Sequence, residues 1–196
     1  MVYEAVDQVI MDEILNKEMT IKEFATICNT ADTEVYKKLR DFMDMNRELF
    51  PEDYASGRTN YIKFQKAICL LSNGVVTYGG QGKGHPDCYL NGQWCETKAY
   101  KPTARTTDVA ASSFFASNSK VPEWKRLKKE SEQQARDFLF EHSYNKNDYY
   151  CLTGTKGCVT PFEDVKLMFV TKDTLVSHLK EDYRKLDLES LRDIKK

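Results

Sequence analysis

The sequence lacks both a long hydrophobic run and a marked excess of one charge. No stretch approaches the roughly 20 consecutive apolar residues that a membrane-spanning helix needs. The first fifteen residues alternate acidic and apolar positions, so the basic start and long apolar run of a secretory signal are missing. These absences predict a soluble cytoplasmic protein without a membrane partner.

The six cysteines do not follow the spacing of a zinc site. Cys28 and Cys69 stand alone in the sequence, and six residues separate Cys151 from Cys158. Proteins of a reducing compartment keep their cysteines as thiols. We therefore expect six reduced thiols and no structural zinc.

A nucleotide-binding loop is also missing, although glycines are frequent between Gly79 and Gly84. A Walker loop needs a lysine followed by serine or threonine and then a helix, and this stretch is followed by neither. The glycines instead predict the close approach of a nucleic-acid backbone or a flexible connection.

The net charge of −1 hides an uneven distribution along the chain. Residues 1–57 carry 13 acidic residues against 6 lysines and arginines, whereas residues 58–136 carry 13 lysines and arginines against 6 acidic residues. Phosphates repel an acidic segment and attract a basic one. The distribution therefore predicts a nucleic-acid surface in the middle of the chain, with a solvated helix face as the alternative for the basic run at 125–129.

Asn91-Gly92 lies between two short runs of strand-forming residues. This dipeptide suits the positive φ angles of a type I′ turn, which joins antiparallel strands through two residues. Counting outward from the turn pairs Cys88 with Cys95 and Asp87 with Glu96. Because side chains alternate faces along a strand, the cysteines lie on one face and the acids on the other.

The opposed carboxylates of Asp87 and Glu96 predict a cation site. Like charges directly opposite one another destabilise a sheet, and two converging carboxylates suit a hard divalent cation such as Mg²⁺. Lys98 lies on the same face, two residues beyond Glu96. A divalent ion beside a lysine suits phosphodiester cleavage, because both stabilise the negative charge that develops during attack. The alternative is a solvated cluster of surface charges.

This segment resembles the PD-(D/E)xK motif of the restriction-endonuclease-like nucleases. Pro86-Asp87 is followed after eight residues by Glu96-Thr97-Lys98, and the two parts lie on adjacent strands as in that family. The resemblance implies that Asp87, Glu96 and Lys98 are catalytic. It further implies that Asp87, Glu96 and the Thr97 carbonyl hold Mg²⁺, for which Mn²⁺ would substitute.

The predicted order of elements agrees with that family. Apolar spacing predicts helices over 61–71, 122–142 and 173–186, and strands over 75–78, 148–153 and 165–170. This is an α/β pattern with a mixed central β-sheet flanked by helices, similar to a restriction-endonuclease-like core. We place that core at 58–196 and a helical N-terminal subdomain at 1–57.

One part of the family pattern is missing. Many relatives add an acid from the helix before the first strand, but residues 61–71 contain none. Glu48, Glu52 or Asp53 would have to supply it from upstream.

Residues 20–43 have the spacing of a helix-turn-helix. Thr20 and Glu23 form a capping box at the first helix. The residues expected to pack are Ile21, Phe24 and Ala25 in the first helix and Val35, Leu39 and Phe42 in the second. Because the segment is acidic, helical packing or dimerisation explains it better than DNA reading, although Lys37 and Lys38 form a local basic spot.

The combined prediction is a Mg²⁺-dependent endonuclease acting on double-stranded DNA. We favour a type II restriction enzyme acting as a homodimer, since two symmetric sites cut both strands of a palindrome. A junction-resolving or phage endonuclease is the second possibility, because the same motif also resembles that group. A non-enzymatic helix-turn-helix regulator is the third. The basic side chains predicted to contact DNA are Lys83, His85, Lys101, Arg105 and Lys156.

Overall fold

A six-stranded mixed sheet lies at the centre of the computed structural model, which describes residues 2–52, 60–80, 84–108, 120–157, 160–180 and 185–195. Its strands are β1 Lys17–Thr20, β2 Val76–Tyr78, β3 Cys88–Leu90, β4 Gln93–Ala99, β6 Tyr149–Thr153 and β7 Lys166–Thr171. A separate two-stranded ribbon consists of β5 Thr106–Asp108 and β8 Lys185–Asp187.

Eight helices accompany these strands within the described ranges. They are α1 Val2–Ile14, α2 Ile21–Ile27, α3 Glu34–Leu49, α4 Asn60–Leu71, α5 Val121–Glu130, α6 Glu132–His142, α7 Lys172–Ser177 and α8 Leu188–Arg192. Short 3-10 turns cover Tyr144–Lys146 and Phe162–Asp164. Among the described helices, none combines the length and apolar character needed to cross a membrane.

The strand order in the central sheet is β1-β7-β6-β4-β3-β2. β2, β3 and β4 form an antiparallel meander. The chain then passes through α5 and α6 and returns as β6, parallel to β4. β7 and β1 extend the sheet with antiparallel pairing. The predicted α/β class and mixed sheet flanked by helices are therefore confirmed.

Side chains on the two faces of the sheet pack into two hydrophobic cores. On β7, Leu167 and Phe169 face the first core, which contains side chains of α1 to α4. Met168 and Val170 face the second core, which contains side chains of α5 to α8. The period-two alternation of a strand thus assigns adjacent residues to different cores.

Several predicted elements are confirmed near their predicted bounds. The helix over 61–71 is α4, the strand over 75–78 is β2, and the last two predicted strands are β6 and β7. Trp124 and Leu175 are buried in the second core, as expected for packing residues.

Two predicted helices are wrong in extent. The helix predicted over 122–142 is two helices, divided at Ser131. The extended backbone of Ser131 ends α5, and its Oγ accepts the Gln134 N–H at the start of α6. The helix predicted over 173–186 ends at Ser177, and Leu186 lies in β8 instead. Both predictions treated a continuous apolar stripe as one helix, whereas a cap or a strand pairing ended it.

The N-terminal residues contain helices, as predicted, but also a strand that the sequence analysis missed. β1 has four residues, of which Met19 is buried, and it forms the edge of the main sheet beside β7. So short and polar a segment carries no strand signal of its own. The predicted boundary at residue 57 lies outside the described residues.

The predicted helix pair over 20–43 is partly confirmed. Thr20 and Glu23 form the capping box, and Ile21, Phe24 and Ala25 are buried. On α3, however, Val35 and Phe42 are 49% and 48% exposed, so two of the predicted packing residues are wrong. Tyr36 and Met43 are buried in their place, because α3 turns a neighbouring stripe towards the first core.

Candidate functional site

The hairpin predicted around Asn91-Gly92 is present, and the three pairs of its ladder have the predicted register. Asn91 has a φ of 49° and Gly92 a φ of 77°, as a type I′ turn requires. The ladder pairs Leu90 with Gln93, Tyr89 with Trp94 and Cys88 with Cys95. Both of these cysteines are buried in the first core, and the five described cysteines are free thiols.

The ladder ends at Cys88 and Cys95, and Asp87 lies just beyond it, so the predicted pairing of Asp87 with Glu96 is not part of the ladder. The Asp87 carbonyl accepts the Gly79 N–H at 3.1 Å. A Cβ atom on Gly79 would lie 2.2 Å from the Pro86 carbonyl oxygen, so any other residue there would collide with backbone. At Gly79, the backbone that approaches closely is therefore that of Pro86 and Asp87 in the same chain. This contact holds the backbone of Asp87 in position.

The Asp87 carboxylate is bound to the neighbouring strand through Thr97. Its Oδ2 accepts the Thr97 N–H at 2.9 Å and the Thr97 hydroxyl at 2.8 Å. The N–H and C=O groups of a strand residue point to the same side of that strand. The Thr97 carbonyl, the predicted third ligand, therefore lies at the edge of β4 that faces Asp87, beyond the end of the β3–β4 ladder.

A buried amide behind Thr97 was missed by the sequence analysis. Gln65 on α4 is 4% exposed, and its Nε2 donates a hydrogen bond to Thr97 Oγ1. The signal in the sequence was an uncharged polar residue among the buried residues Phe64, Ala67 and Ile68. A polar side chain at such a position indicates a hydrogen-bond partner in the interior.

Glu96 and Lys98 lie on the face of β4 opposite to the Thr97 side chain, towards the second core. Because the Asp87 carboxylate is hydrogen-bonded to Thr97, the predicted arrangement with the Asp87 and Glu96 carboxylates opposed on one face is not formed. Their neighbours across the parallel β4–β6 pair are Tyr150 and Leu152. Lys98 Nζ donates to Glu96 Oε1 at 2.6 Å, with 21% and 24% of the two side chains exposed. Burial raises the pKa of Glu96; the Lys98 ammonium opposes this shift, and the negative charge of Asp87 adds to it.

Oxygen atoms of the type that a hard divalent cation binds lie near the open end of the hairpin. Asp87 Oδ1 accepts no hydrogen bond from the residues that the structure describes, and the Glu96 carboxylate and Thr97 carbonyl supply further hard oxygens. Mg²⁺ commonly binds through one or two carboxylates and keeps several waters. In the described part of the chain, no three side chains of the metal-binding types come together. Glu48 and Glu52 are exposed, and Asp53 lies outside the described residues.

Two of the predicted DNA contacts lie at the end of the sheet that carries Lys98. Lys101 follows β4, and Lys156 lies in the turn that follows β6; both are exposed. The Lys156 N–H donates to the Tyr100 carbonyl at 3.1 Å, which joins the two segments. Parallel strands end at the same edge of a sheet, so β4 and β6 bring these lysines together.

The other predicted contacts are more scattered. His85 is exposed in the loop before Asp87. Arg105 is farther along the chain, with 84% of its side chain exposed and its Nε 3.9 Å from Glu189 Oε1. Lys83 lies outside the described residues.

An arginine near the C-terminus holds the loop that carries Lys101 and Arg105. The Arg192 guanidinium donates to the Ala104 carbonyl at 2.8 Å and the Pro102 carbonyl at 3.1 Å. Its Nε donates to Glu18 Oε2 at 2.9 Å. Sequence spacing gave no signal for this contact, because residues 90 positions apart form it.

No family model matches this chain, and neither the curated proteins nor the solved structures include a significant match to it.

Proposed function

We propose that this chain is a Mg²⁺-dependent DNA endonuclease whose site consists of Asp87, Glu96, Thr97 and Lys98. The observation that carries the proposal is that two acids and a lysine of the motif lie at the end of the hairpin where the β3–β4 ladder stops. Asp87 is held by Thr97, and Lys98 Nζ lies 2.6 Å from Glu96 Oε1. The raised pKa of Glu96 is a further mark of a functional carboxylate.

The chemistry of the site follows from its donors. Asp87, Glu96 and the Thr97 carbonyl would hold the ion, and a bound Mg²⁺ supplies Lewis acidity towards phosphate and water. In the reaction, a water molecule loses a proton to solvent and its oxygen attacks phosphorus, while the bond to the departing sugar oxygen breaks and that oxygen takes up a proton. The Lys98 ammonium stabilises the negative charge that develops on the phosphate oxygens.

The basic residues around this end of the sheet support double-stranded DNA as the substrate. Lys101 and Lys156 are exposed beside the end of β4, and His85 is exposed in the loop that leads into Asp87. Lysines in such positions attract a phosphate backbone without reading sequence. The resemblance to the PD-(D/E)xK nucleases supports the same substrate.

A homodimer belongs to the same proposal, because a palindromic site is cut on both strands by two copies. An exposed apolar stripe on α3 supports it: Val35, Phe42, Met45 and Leu49 are 49%, 48%, 53% and 62% exposed. Apolar side chains grouped on one helix face are typical of contact surfaces. Light scattering tests this assignment, since Phe42→Lys is expected to shift a wild-type dimer to monomer, and a monomeric wild type contradicts it.

The direct test is incubation of supercoiled plasmid and of a four-way DNA junction with the protein and Mg²⁺. We expect the wild-type protein to produce discrete plasmid fragments. In Asp87→Asn the cleavage rate should fall at least about 100-fold. Asp137→Asn is the matched control. Asp137 accepts a hydrogen bond from the exposed Gln133 on α6, a helix outside the hairpin. If both DNA substrates stay intact at every divalent ion tested, the proposal is wrong.

The same assay separates the alternatives. Cleavage of the junction alone assigns the protein to the structure-selective endonucleases, which share the motif. A helix-turn-helix regulator predicts DNA binding without cleavage, no effect of Lys98→Ala, and loss of binding when Lys37 and Lys38 are replaced. The acidic charge of residues 1–57 disfavours that outcome.

A further inference from the structure

Gln65 is the buried polar side chain nearest to the proposed site on the first-core side. It lies on α4 among apolar residues, 32 residues before the threonine that it contacts. An amide removed from water is destabilising unless it is hydrogen-bonded. The partner of the Gln65 Nε2 is Thr97 Oγ1, so this polar group is directed at the motif.

The contact fixes the direction of the next hydrogen bond. A threonine hydroxyl carries one hydrogen and accepts through its lone pairs. Because Thr97 Oγ1 accepts from Gln65, its own hydrogen is directed to Asp87 Oδ2, 2.8 Å away. Two hydrogen bonds in series therefore run from α4 to the carboxylate, with Gln65 and Thr97 as donors and Asp87 as the final acceptor.

We propose that Gln65 is a positioning residue of the metal site. Through Thr97, it holds Asp87 Oδ2 against β4 and thereby leaves Oδ1 available to the cation. This inference rests on the proposed function, because it concerns the ion that Asp87 and Glu96 would bind. Groups that orient a metal ligand in this way change metal affinity although they never touch the metal.

A purely structural role for Gln65 makes a different prediction. Methionine has nearly the same length and would fill the same space on α4, so packing alone is retained in Gln65→Met. The variant loses the donor and leaves the Thr97 hydroxyl free to turn away from Asp87. Metal affinity, rather than folding, is then the property that changes.

The test is isothermal titration of Mn²⁺ into the full chain, together with thermal melting of each variant. We expect Gln65→Met to bind Mn²⁺ about 10- to 100-fold more weakly than wild type. Thr97→Val, which removes the hydroxyl and keeps the backbone, should show the same loss, and Thr97→Ser, which restores a hydroxyl, should bind Mn²⁺ more tightly than Thr97→Val. Gln133→Met, at an exposed glutamine on α6, is the matched control.

A double-mutant cycle completes the experiment. If Gln65 acts through the Thr97 hydroxyl, the Gln65→Met/Thr97→Val double variant binds Mn²⁺ no more weakly than Thr97→Val alone. If the losses of Mn²⁺ affinity in the two single variants add up in the double variant, the inference is contradicted. Wild-type Mn²⁺ affinity in Gln65→Met also contradicts the inference, but it leaves the nuclease proposal intact. If Gln65→Met does not fold, Gln65→Leu, which also lacks the donor, takes its place in the cycle, and wild-type Mn²⁺ affinity in that variant contradicts the inference. If wild type binds no Mn²⁺, the nuclease proposal and the inference both fail.

Discussion

The two carboxylates of the proposed site are held in different ways. Asp87 lies in the loop before β3, where uncharged donors of Thr97 bind it. Glu96 lies within β4, where a lysine binds it and the second core covers part of it. The position of the Asp87 carboxylate therefore depends on the geometry of a loop and on a hydroxyl group. The state of the Glu96 carboxylate depends on the charge of Lys98 and on burial.

The comparison shows that different interactions hold the two carboxylates. Hydrogen bonds from neutral groups fix the direction of a carboxylate and are insensitive to salt. An ion pair in a partly dry environment instead makes the charge state of a carboxylate sensitive to its partner and to pH. Perturbing the two sides separately should therefore give separate signatures.

The largest effect is expected from removing the charge on the Glu96 side. Lys98→Met should slow plasmid cleavage about 10²- to 10³-fold, because the ammonium no longer stabilises the developing negative charge. Single-turnover cleavage with Mg²⁺ measures this. Lys17→Met, which replaces an exposed strand lysine on β1, should cleave like wild type. A Lys98→Met variant at full speed would remove Lys98 from the mechanism.

A smaller effect is expected from displacing the loop on the Asp87 side. In Gly79→Ala the new Cβ meets the Pro86 carbonyl oxygen at 2.2 Å, which forces the backbone beside Asp87 to move. We expect the free energy of unfolding to fall by about 1–3 kcal/mol, together with weaker Mn²⁺ binding. Urea unfolding measures the first quantity and calorimetric titration the second.

Gly154→Ala is the control for that substitution. The nearest atom to a Cβ at this glycine is 3.4 Å away, so the stability loss should be smaller. Equal losses in the two variants would mean that the contact between Gly79 and Pro86 does not constrain Asp87.

The smallest effect is expected from pH, and it belongs to the Glu96 side. Because the folded protein raises the pKa of Glu96 above its usual 4.5, the folded state holds more protons than the unfolded state in the interval above that value. The contribution of Glu96 to stability is therefore fully present below pH 4.5 and declines as pH rises through the interval. In Glu96→Gln, this dependence of the free energy of unfolding on pH should be lost. Urea unfolding at a series of pH values measures it, and an unchanged dependence would contradict the effect of burial on Glu96.

Sequence predicted the hairpin well because the determinants of the hairpin are local. Asn91-Gly92 accepts positive φ at both positions, and the turn then sets the pairing of every residue back to Cys88 and Cys95. The helix α4 and the strands β6 and β7 were likewise predictable from apolar runs with clear ends.

Other elements were unpredictable because distant residues decide them. β1 is a strand because β7 offers it an edge, and Leu186 is in β8 because β5 pairs with it. On α3, the apolar pattern allowed either Phe42 or Met43 to face inward, and packing against the first core selected Met43.

The sequence by itself determined the pairing of the hairpin back to Cys88 and Cys95, and therefore which chemical groups follow at its open end, because a two-residue turn and a period of two leave no freedom in the register. The tertiary structure decided the environment of those groups. It brought Gln65 from α4 behind Thr97, pressed Glu96 against the second core, and set Lys156 beside the end of β4. These contacts join residues far apart in the chain, and the packing of the two cores, rather than any local preference, fixes their distance.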